Sequence, residues 1–489
     1  MTEYDIVVVG GGSGSQVATA AADRGLEAAV VERGPLGGAC ITRGCVPSKA
    51  LIHRADVVEE IQRAERAGID ATLEGVAYDE ITDAIHDAVF GKADRQAESL
   101  EESENVALYR GEGRFVDDRT LEVDGEESHE IRGEQIVIAV GSRPMEPPID
   151  GLADVDYLTS DNALYLDDRP DELVIVGGGY IGTELGYFFG ALGTDVTIIG
   201  RSDHLIPRED DEVSELVTDA LAEYCEVYTG HEAASVANDD DGDVTVTAEP
   251  SDDNDAVEIT ADDLLLATGR VPNTDTLNLE ATSIETDDSG YVETDARLET
   301  TVDGVWVLGD VVGDQPFKHA ADYESRVVAA NALRDDSEAQ RASDGRAAEP
   351  RDGGREVDYH AMPHAIFTSP QVASVGKTEG ELEDEDREYE SATVPFDVSP
   401  LGAILEIDGL VKVLAAPDGE ILGCHIVGPQ ASSLIQEVVV AMDRGSGTVE
   451  DVAETVHVHP ALSESIYAAF DELSEGEFST APDWRDIRE

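Results

Sequence analysis

Short apolar runs, each followed by a glycine-rich turn and a helical pattern, organise the first half of the chain. In residues 4–33, the apolar strand DIVVV leads through GGGSGS into a helix with small residues on its packed face, and a second strand ends at Glu32. The same order returns in residues 171–209, where LVIV leads through GGGYIG into another helix. Strands that alternate with helices in this way predict βαβ units, parallel sheets and an α/β fold.

The first glycine turn has the features of a dinucleotide-binding site. Gly10 and Gly12 fit the glycine fingerprint, which brings backbone N–H groups against a pyrophosphate at a helix N-terminus. Gly14 belongs to the same turn, and Ser15 stands where a third glycine is usual. Glu32 follows Gly12 by 20 residues and is placed to accept hydrogen bonds from a ribose.

The second turn has the full spacing, with Gly177, Gly179 and Gly182. Two such units predict two dinucleotides. The second strand of this unit ends at Gly200 and Arg201, where an NAD site would place an acidic residue. Loss of the carboxylate removes repulsion from a 2'-phosphate and Arg201 can pair with it, so we expect NADP at this site. The alternative is that Arg201 is a solvated surface residue.

The composition is strongly acidic. The 489 residues include 108 Asp and Glu against 32 Lys and Arg, a formal net charge of −76, and 41% of them are hydrophobic. This apolar fraction can fill large cores, so the acidity does not indicate disorder. An even acidic coat suits high salt, where a Debye length of about 3 Å screens long-range repulsion. The net charge therefore argues against nucleic acid as a partner but not against an acidic small molecule. With no long apolar run and no basic leader, we expect a cytoplasmic protein without a membrane partner.

Two of the four cysteines, Cys40 and Cys45, precede the helical pattern PSKALIHRADVVEEI. So few thiols exclude a disulfide framework and leave a metal pair or a redox couple. A metal needs about four ligands and neither Cys225 nor Cys424 forms a second pair, so we predict no metal site and expect these two thiols to be buried. The N-terminal end of the helix, with Lys49 nearby, would stabilise a thiolate of the first pair.

A redox-active dithiol needs an electron source and a proton donor. The predicted dinucleotide sites supply the electrons if FAD occupies the first and a nicotinamide the second, with hydride transfer to the flavin and then two electrons to the Cys40–Cys45 pair. In HPALSE, His459 can protonate a leaving thiol while Glu464 fixes its tautomer. A lone histidine is more often structural, and His457 is expected to be only a neighbour.

From residue 4 to about residue 470, these motifs are similar, in order, to those of the pyridine nucleotide-disulfide oxidoreductases of the glutathione reductase and lipoamide dehydrogenase type. The resemblance implies two Rossmann-like dinucleotide-binding domains, for FAD and NADP, and a C-terminal α+β dimerisation domain. It also implies a homodimer in which the C-terminal domain lends its histidine to the partner's active site. The expected boundaries are 1–150 and 271–333 for the FAD-binding and central domain, 151–270 for the NAD(P)-binding domain, 334–356 for a polar flexible insert, and 357–489 for the dimerisation domain.

The resemblance also implies roles for single residues. Cys40 would be the interchange thiol that attacks the substrate, and Cys45 the charge-transfer thiol against the flavin. Lys49 would pair with Glu184 near the flavin N5, and Tyr180 would gate the nicotinamide pocket. The residues expected to hold FAD are Gly10, Gly12, Gly14, Glu32, Gly38, Lys49, Gly113, Gly141 and Asp310. Those expected at the nicotinamide nucleotide are Gly177, Gly179, Tyr180, Gly182, Arg201 and Gly269.

Several features separate the members of this family. The tail FSTAPDWRDIRE has no cysteine pair, which excludes mercuric and large thioredoxin reductases. Lipoamide dehydrogenases usually have Gly-Pro-Gly-Gly in the first turn and an acid at the second nucleotide, unlike GGGSGSQ and Gly200–Arg201 here. The segments HRADVVEEIQRAERAGIDA and HAADYESRVVAAN are most similar to mycothione reductases, and the acidity to haloarchaeal bis-γ-glutamylcystine reductases. We therefore expect an NADPH-dependent reductase of a low-molecular-weight disulfide, with bis-γ-glutamylcystine favoured. The alternative is an NAD-linked dihydrolipoamide dehydrogenase, and a more distant one is a non-catalytic flavoprotein redox sensor.

Overall fold

The computed structural model describes residues 1–239, 242–251, 256–334, 354–474 and residue 484. The insert expected at 334–356 lies, apart from its ends, outside these residues. The chain divides into two compact units. Unit 1 comprises Met1–Ala50, Asp79–Met145 and Gly269–Asp358, and unit 2 comprises Leu51–Tyr78, Glu146–Thr268 and Tyr359–Glu489. In the described part of the chain, no helix has both the length and the apolar character needed to cross a bilayer.

The helices are α1 (Ser15–Ala22), α2 (Gly38–Thr42), α3 (Cys45–Gln62), α4 (Tyr78–Glu101), α5 (Tyr180–Ala191), α6 (Asp211–Leu221), α7 (Lys318–Ala332), α8 (Glu379–Asp384), α9 (Pro400–Ile404), α10 (Ala431–Arg444), α11 (Glu450–Ala453) and α12 (Ser463–Leu473). The strands are β1 (Thr2–Val9), β2 (Ala28–Glu32), β3 (Val106–Asp117), β4 (Thr120–Gly125), β5 (His129–Ile138), β6 (Ser142–Pro144), β7 (Leu158–Thr159), β8 (Glu172–Val176), β9 (Asp195–Ile199), β10 (Cys225–Tyr228), β11 (His231–Asn238), β12 (Val244–Pro250), β13 (Val257–Ala261), β14 (Asp263–Leu266), β15 (Arg270–Pro272), β16 (Val305–Val307), β17 (Pro363–Ile366), β18 (Val372–Gly376), β19 (Glu390–Pro395), β20 (Leu410–Ala415) and β21 (Ile421–Val427).

Unit 1 is built on a parallel sheet in the order β16–β5–β1–β2–β3. Strand β4 pairs antiparallel with the C-terminal half of β3 and with the N-terminal half of β5. The second half of the central strand β1, residues 6–9, is a continuous apolar run, as expected where both faces of a sheet are covered. Ile6 and Val8 enter one core, and Val7 and Val9 enter the other. The glycine turn that leads into α1 therefore lies at the carboxyl edge of the sheet, where ligands bind in this kind of fold.

Unit 2 contains a second parallel sheet, in the order β10–β9–β8–β14–β7. Helix α5 follows β8 through the second glycine turn and is buried over most of its surface, as its apolar sequence YIGTELGYFFGA requires. An antiparallel sheet of β11, β12 and β13 packs its apolar face against β8 and β14. This arrangement repeats the sheet, turn and helix order found in unit 1.

The C-terminal part of unit 2 is an antiparallel sheet in the order β17–β18–β21–β20–β19. Residues of α10 and α12, such as Ile435 and Ile466, share one apolar core with strand residues such as Val413 and Ile426. The expected fold class is thus confirmed: the chain contains two Rossmann-like parallel sheets, each with a glycine turn and a helix, and a C-terminal α+β part. The exact domain boundaries stay predictions.

Candidate functional site

The first glycine turn brings backbone against backbone. Gly10 has φ +110°, and a Cβ there would lie 2.2 Å from the carbonyl oxygen of Ala139, so only glycine fits. A Cβ on Gly14 would lie 2.6 Å from the Ala139 Cβ. Gly14 therefore provides the close approach of helix to strand that the sequence pattern places at position 15. Ser15 is buried, and its hydroxyl donates to the carbonyl oxygen of Gly12 at 2.8 Å.

Glu32 borders an open cleft in unit 1, together with Gly10 and Gly113. Its Oε2 accepts the Gly11 N–H at 2.6 Å and its Oε1 accepts the Gly34 N–H at 2.7 Å, which fixes the carboxylate beside the turn. A carboxylate offers about four acceptor positions, so these bonds leave capacity for ribose hydroxyls. The residues present fit the adenosine half of FAD.

Other residues predicted at the flavin have backbone features that suit close approach to a ligand. A Cβ on Gly38, whose φ is +65°, would lie 3.0 Å from the Gly12 Cα, so two glycine backbones face each other here. Gly141 also has φ +65°. Asp310 follows β16 at the carboxyl edge and accepts a hydrogen bond from the Ser142 hydroxyl. The flavin-binding roles of these residues stay predictions.

The two cysteines lie at the junction of α2 and α3. Cys40 is partly buried in α2, and Cys45 is exposed and is the first residue of α3, as the sequence predicts. The pKa of Cys40 is raised, chiefly by the hydrogen bond between its side chain and that of Cys45 and then by burial. Both effects favour the neutral form of the Cys40 thiol, so the thiolate expected in this pair stays a prediction. The other two thiols, Cys225 and Cys424, are buried as expected.

Two charged residues near the pair were not foreseen. Lys318 begins α7 and forms an ion pair with Asp322, which also accepts the Ser13 hydroxyl at 3.0 Å. The charge of Lys318 lowers the pKa of Cys40 and that of Asp322 raises it, both less than the hydrogen bond and burial do. Their position in the sequence could have indicated them. Helix α7 starts eight residues after Asp310, at the same carboxyl edge of the sheet as the glycine turn.

The second glycine turn repeats the geometry of the first. Gly177 has φ +124°, and a Cβ there would lie 2.2 Å from the carbonyl oxygen of Ala267. A Cβ on Gly182 would lie 2.0 Å from the Gly177 oxygen, so the third glycine is needed for helix packing. Gly179 precedes α5, and the helix N-terminus is thus open to an anionic phosphate.

Packing at the end of β9 does not require the glycine that stands there in place of an acidic residue. A Cβ on Gly200 would lie 3.5 Å from the Gly178 Cα, an ordinary contact, so a larger residue could stand there. Arg201 is exposed at the start of the following loop. Gly269 has φ +116° and belongs to unit 1, where its carbonyl accepts the Met145 N–H at 3.0 Å. The contacts of Arg201 and Gly269 with a nucleotide stay predictions.

Tyr180 and Glu184 both lie on α5. Glu184 is buried, and its Oε1 accepts the backbone N–H of Phe367 at 2.9 Å. Lys49 belongs to unit 1 and Glu184 to unit 2, and their pairing stays a prediction. The Tyr180 hydroxyl donates to Glu209, a carboxylate that sequence analysis did not single out.

His459 and Glu464 form the pair predicted from HPALSE. The Nδ1–H of His459 donates to Glu464 Oε1 at 2.8 Å, and Glu464 Oε2 accepts the Ala461 N–H at 2.9 Å. The Glu464 side chain is 9% exposed and that of His459 is 61% exposed, so the carboxylate is fixed and the imidazole is accessible. The hydrogen bond at Nδ1 directs Nε2 outward as the proton-exchanging atom.

Comparison with known proteins supports one family. Residues 4–332 match the model described as pyridine nucleotide-disulphide oxidoreductase, and residues 362–470 match its dimerisation domain. The chain is 36% identical over 481 residues to dihydrolipoyl dehydrogenase 3 of Haloarcula marismortui, with 96% of each chain covered. It is 36% identical over 468 residues to the dihydrolipoyl dehydrogenase of Bacillus subtilis, with 94% of each covered.

Solved structures agree with this. The HOCl-induced flavoprotein disulfide reductase RclA from Escherichia coli, solved as a Cu(II) complex, is 25% identical, with a TM-score of 0.83 over 97% of this chain and 100% of that one. LpdA from Mycobacterium tuberculosis is 26% identical, with a TM-score of 0.82 and the same coverage. The chain therefore belongs to the pyridine nucleotide-disulphide oxidoreductase family, whose members bind FAD and a pyridine nucleotide, and its dimerisation domain indicates a homodimer.

Proposed function

We propose that this protein moves two electrons between a nicotinamide nucleotide and a dithiol–disulfide couple, through FAD and the Cys40–Cys45 pair. The observation that carries the proposal is the hydrogen-bonded pair of thiols at the junction of α2 and α3, in the same unit as the glycine turn and the Glu32 cleft. Bound FAD would supply the exchange of a hydride for two electrons at sulfur. The protein's own side chains would carry the thiol chemistry and the protons.

In the direction of disulfide reduction, the Cys40 thiolate attacks one sulfur of the substrate. The substrate S–S bond breaks, a mixed disulfide forms, and the leaving thiolate takes a proton. Cys45 then attacks the Cys40 sulfur, which forms the Cys40–Cys45 disulfide and releases the second thiolate to a second proton. The raised pKa of Cys40 means that a base must remove its proton first. His459 of the partner subunit is proposed for this role and for the return of the proton to the leaving thiol.

Two members of the family fit this scheme, and the relatives favour the one expected as the alternative. The most similar relatives reported above are named dihydrolipoyl dehydrogenase and cover nearly the whole chain. We therefore propose oxidation of a dihydrolipoyl group with NAD as the first candidate. NADPH-dependent reduction of a small disulfide, such as bis-γ-glutamylcystine, is the second candidate, because Gly200 and the exposed Arg201 replace the acidic residue expected at an NAD site.

Steady-state kinetics at high salt would separate the candidates. The purified holoenzyme is assayed with NADH and with NADPH, against lipoamide, bis-γ-glutamylcystine, glutathione disulfide and mycothione disulfide, and also with dihydrolipoamide and NAD. A dominant kcat/KM with lipoamide and the NAD couple selects the first candidate. A dominant kcat/KM with NADPH and a small disulfide selects the second. Absence of turnover with every pair would refute both.

The dithiol mechanism has its own test. Cys45→Ser should still be reduced by the nicotinamide nucleotide but should lose disulfide turnover, because no second sulfur can resolve the mixed disulfide. Cys225→Ala is the matched control, since it removes a buried thiol of unit 2 outside the proposed chemistry. Disulfide turnover by Cys45→Ser at the wild-type rate would exclude the proposed mechanism.

A further inference from the structure

One face of the C-terminal sheet carries a row of polar side chains that crosses all five strands. The polar row is His364, Ser374, His425, Lys412 and Thr393, each paired directly with the next across neighbouring strands. Most of the residues that flank them along the strands, such as Val375, Ile426 and Val413, lie in the apolar core on the other face. Ser374, His425 and Lys412 are each 1% exposed, so their polar atoms need partners inside the protein.

His425 bonds to Ser374 and to the carbonyl oxygen of Lys377, whereas Ser374 and Lys412 find partners in the acidic turn between β9 and α6. The Nε2–H of His364 donates to Glu209 Oε1 at 2.7 Å, and the Ser374 hydroxyl donates to Oε2 at 2.7 Å. The next residue, Asp210, accepts from Lys412 Nζ at 2.7 Å. The side chains of Glu209 and Asp210 are each 1% exposed. The polar row thus holds two adjacent buried carboxylates of the nucleotide-binding part of unit 2.

Tyr180 is tied to the same carboxylate. Its hydroxyl donates to Glu209 Oε1, and its ring stacks on the His364 imidazole, with centroids 5.8 Å apart and an interplanar angle of 14°. Burial would raise the pKa of Glu209, but hydrogen bonds and the charge of His364, with Tyr180 and Ser374, lower it to about 2. Burial and the charge of Glu209 raise the pKa of Tyr180. The proton therefore stays on tyrosine and the charge on glutamate, a charge-assisted hydrogen bond.

A strained residue fixes the turn that carries Glu209. Ile206 is fully buried and has φ +48°, a conformation that β-branched residues rarely adopt. Its N–H donates to the carbonyl oxygen of Gly178 in the glycine turn at 2.6 Å, and its own carbonyl accepts the Ser214 hydroxyl at 3.0 Å. Such strain persists only where the surroundings over-determine the backbone. The turn is thus held against the glycine turn, next to the start of α5 where Tyr180 lies.

We propose that Glu209 is a positioning residue that holds the Tyr180 ring in one orientation and thereby sets the affinity for the nicotinamide nucleotide. The inference rests on the proposed function and on the expectation from the sequence that Tyr180 lies at the nicotinamide pocket. To turn away, the ring must leave His364 and break its hydrogen bond to Glu209. A nucleotide therefore meets a surface that is already ordered, and its binding does not include the entropic cost of ordering the ring.

The test uses Glu209→Gln, Tyr180→Phe and the double variant in the flavin-containing protein. Glu209→Gln keeps the side-chain volume but removes the charge, and Tyr180→Phe keeps the stacked ring but removes the hydroxyl. Each single variant should raise the KM for the nicotinamide nucleotide about three- to tenfold with kcat within about twofold, since one charge-assisted hydrogen bond is lost. The double variant should be no worse than the weaker-binding single variant, because both remove the same bond.

Anaerobic stopped-flow reduction of the flavin at varied nucleotide concentration gives the dissociation constant of the nucleotide and the rate constant of flavin reduction without the disulfide step, and only the dissociation constant should change. Glu215→Gln, an exposed residue of α6, controls for loss of one negative charge. An unchanged KM in both single variants, or additive effects in the double variant, would overturn the proposal that Glu209 positions Tyr180. If Glu209→Gln does not fold, an unchanged KM in Tyr180→Phe alone overturns it. If neither NADH nor NADPH reduces the flavin of the wild-type protein, the proposed function is refuted, and the positioning role of Glu209 is refuted with it.

Discussion

The two histidines of the segment before α12 are held by carboxylates in different ways. His459 gives only Nδ1 to Glu464 and keeps Nε2 accessible, whereas His457 uses both ring nitrogens inside the protein. The accessible Nε2 of His459 suits proton exchange, whereas His457, with both ring nitrogens hydrogen-bonded, suits an anchoring role. The sequence pattern VHVHP gives no means of telling the two apart, because their partners come from different helices.

Glu464→Gln should leave the protein folded but impair proton transfer at His459. The carboxamide has no charge to stabilise the imidazolium that forms when Nε2 takes a proton, and it can turn its N–H₂ toward Nδ1 and select the wrong tautomer. We expect disulfide turnover to fall about 10²- to 10⁴-fold, with flavin reduction by the nucleotide unchanged. Steady-state and half-reaction kinetics measure both. Glu454→Gln, an exposed carboxylate just before this segment, is the control, and turnover of Glu464→Gln within twofold of that control would contradict the assignment.

His457 should make stability depend on pH. Its Nε2–H donates to Glu437 at 3.0 Å, and this bond is the main reason why its pKa is raised. A raised pKa in the folded state stabilises the fold fully below the unfolded value of about 6.5, and the contribution disappears as pH rises through the folded pKa. His457→Gln should therefore lower Tm more at about pH 6 than at about pH 9. The exposed His86→Gln is the control, and an equal loss of Tm at both pH values would contradict this account.

Single residues differ in how far sequence reveals them. Gly10 and Gly177 are recognisable because local backbone geometry requires glycine there, whatever the rest of the fold does. Glu209 and His364 are 155 positions apart, so nothing local predicts their hydrogen bond. The hydrogen bond between the Cys40 and Cys45 side chains depends in the same way on the junction of two helices, which no local pattern encodes.

At the scale of elements, the polar row explains why the C-terminal sheet is apolar on one face only. Lys412 on β20 is 1% exposed and lies between Asp210 at 2.7 Å and Glu379 at 2.6 Å. Burying these charges carries a desolvation penalty that the ion pairs offset only while all partners are present. The row therefore fixes the acidic turn before α6 and the N-terminus of α8 relative to the sheet, both within unit 2.

Lys412→Met should destabilise the protein by about 3–5 kcal/mol, because it leaves the buried Asp210 without its cation. Lys377→Met is the matched control, since Lys377 pairs with Glu385 at the surface and such pairs contribute about 0–1 kcal/mol. Equilibrium denaturation at constant high salt gives both values. A loss in Lys412→Met no larger than in the control would show that the buried ion pairs do not hold the sheet to the turn.

Elements were predictable where one periodicity held over the whole element. The apolar runs of β1 and β8, each followed by a glycine turn and a helix, were recognised because the residues of these runs are buried on both faces of their sheets. The short helix α2 was missed, since five residues beginning with Gly38 do not show a helical period. Strand β3 pairs parallel with β2 and then antiparallel with β4, a change of partner that its own sequence does not encode.

At the scale of the whole molecule, exposed apolar residues concentrate in the segment that matches the dimerisation domain. Large hydrophobic side chains exposed there are Ile404, Leu405, Val440, Val456 and Val458. A second copy would cover such residues, but each subunit carries a net charge of −76. The dimer should therefore weaken as salt falls from about 2 M to about 0.1 M, where the Debye length grows to about 10 Å. Sedimentation measures the dimer fraction, and a dimer equally stable at both salts would contradict screening as the cause.

The proposed sharing of the active site across the dimer can be tested with two inactive subunits. Cys45→Ser lacks the resolving thiol and His459→Gln lacks the proton carrier, so each homodimer should be inactive. If His459 of the partner subunit completes the site, a mixed dimer contains one site with both groups intact and one with neither. Random assembly at equal amounts then yields about a quarter of the wild-type sites.

The two subunits, carrying different tags, are co-expressed, and the doubly tagged dimer is purified at high salt. Disulfide turnover near half the wild-type rate per mixed dimer is expected, since one of its two sites is complete. If instead the cysteines and the histidine of each site belong to the same subunit, neither subunit of the mixed dimer has a complete site. An inactive mixed dimer would therefore contradict sharing of the site across the dimer.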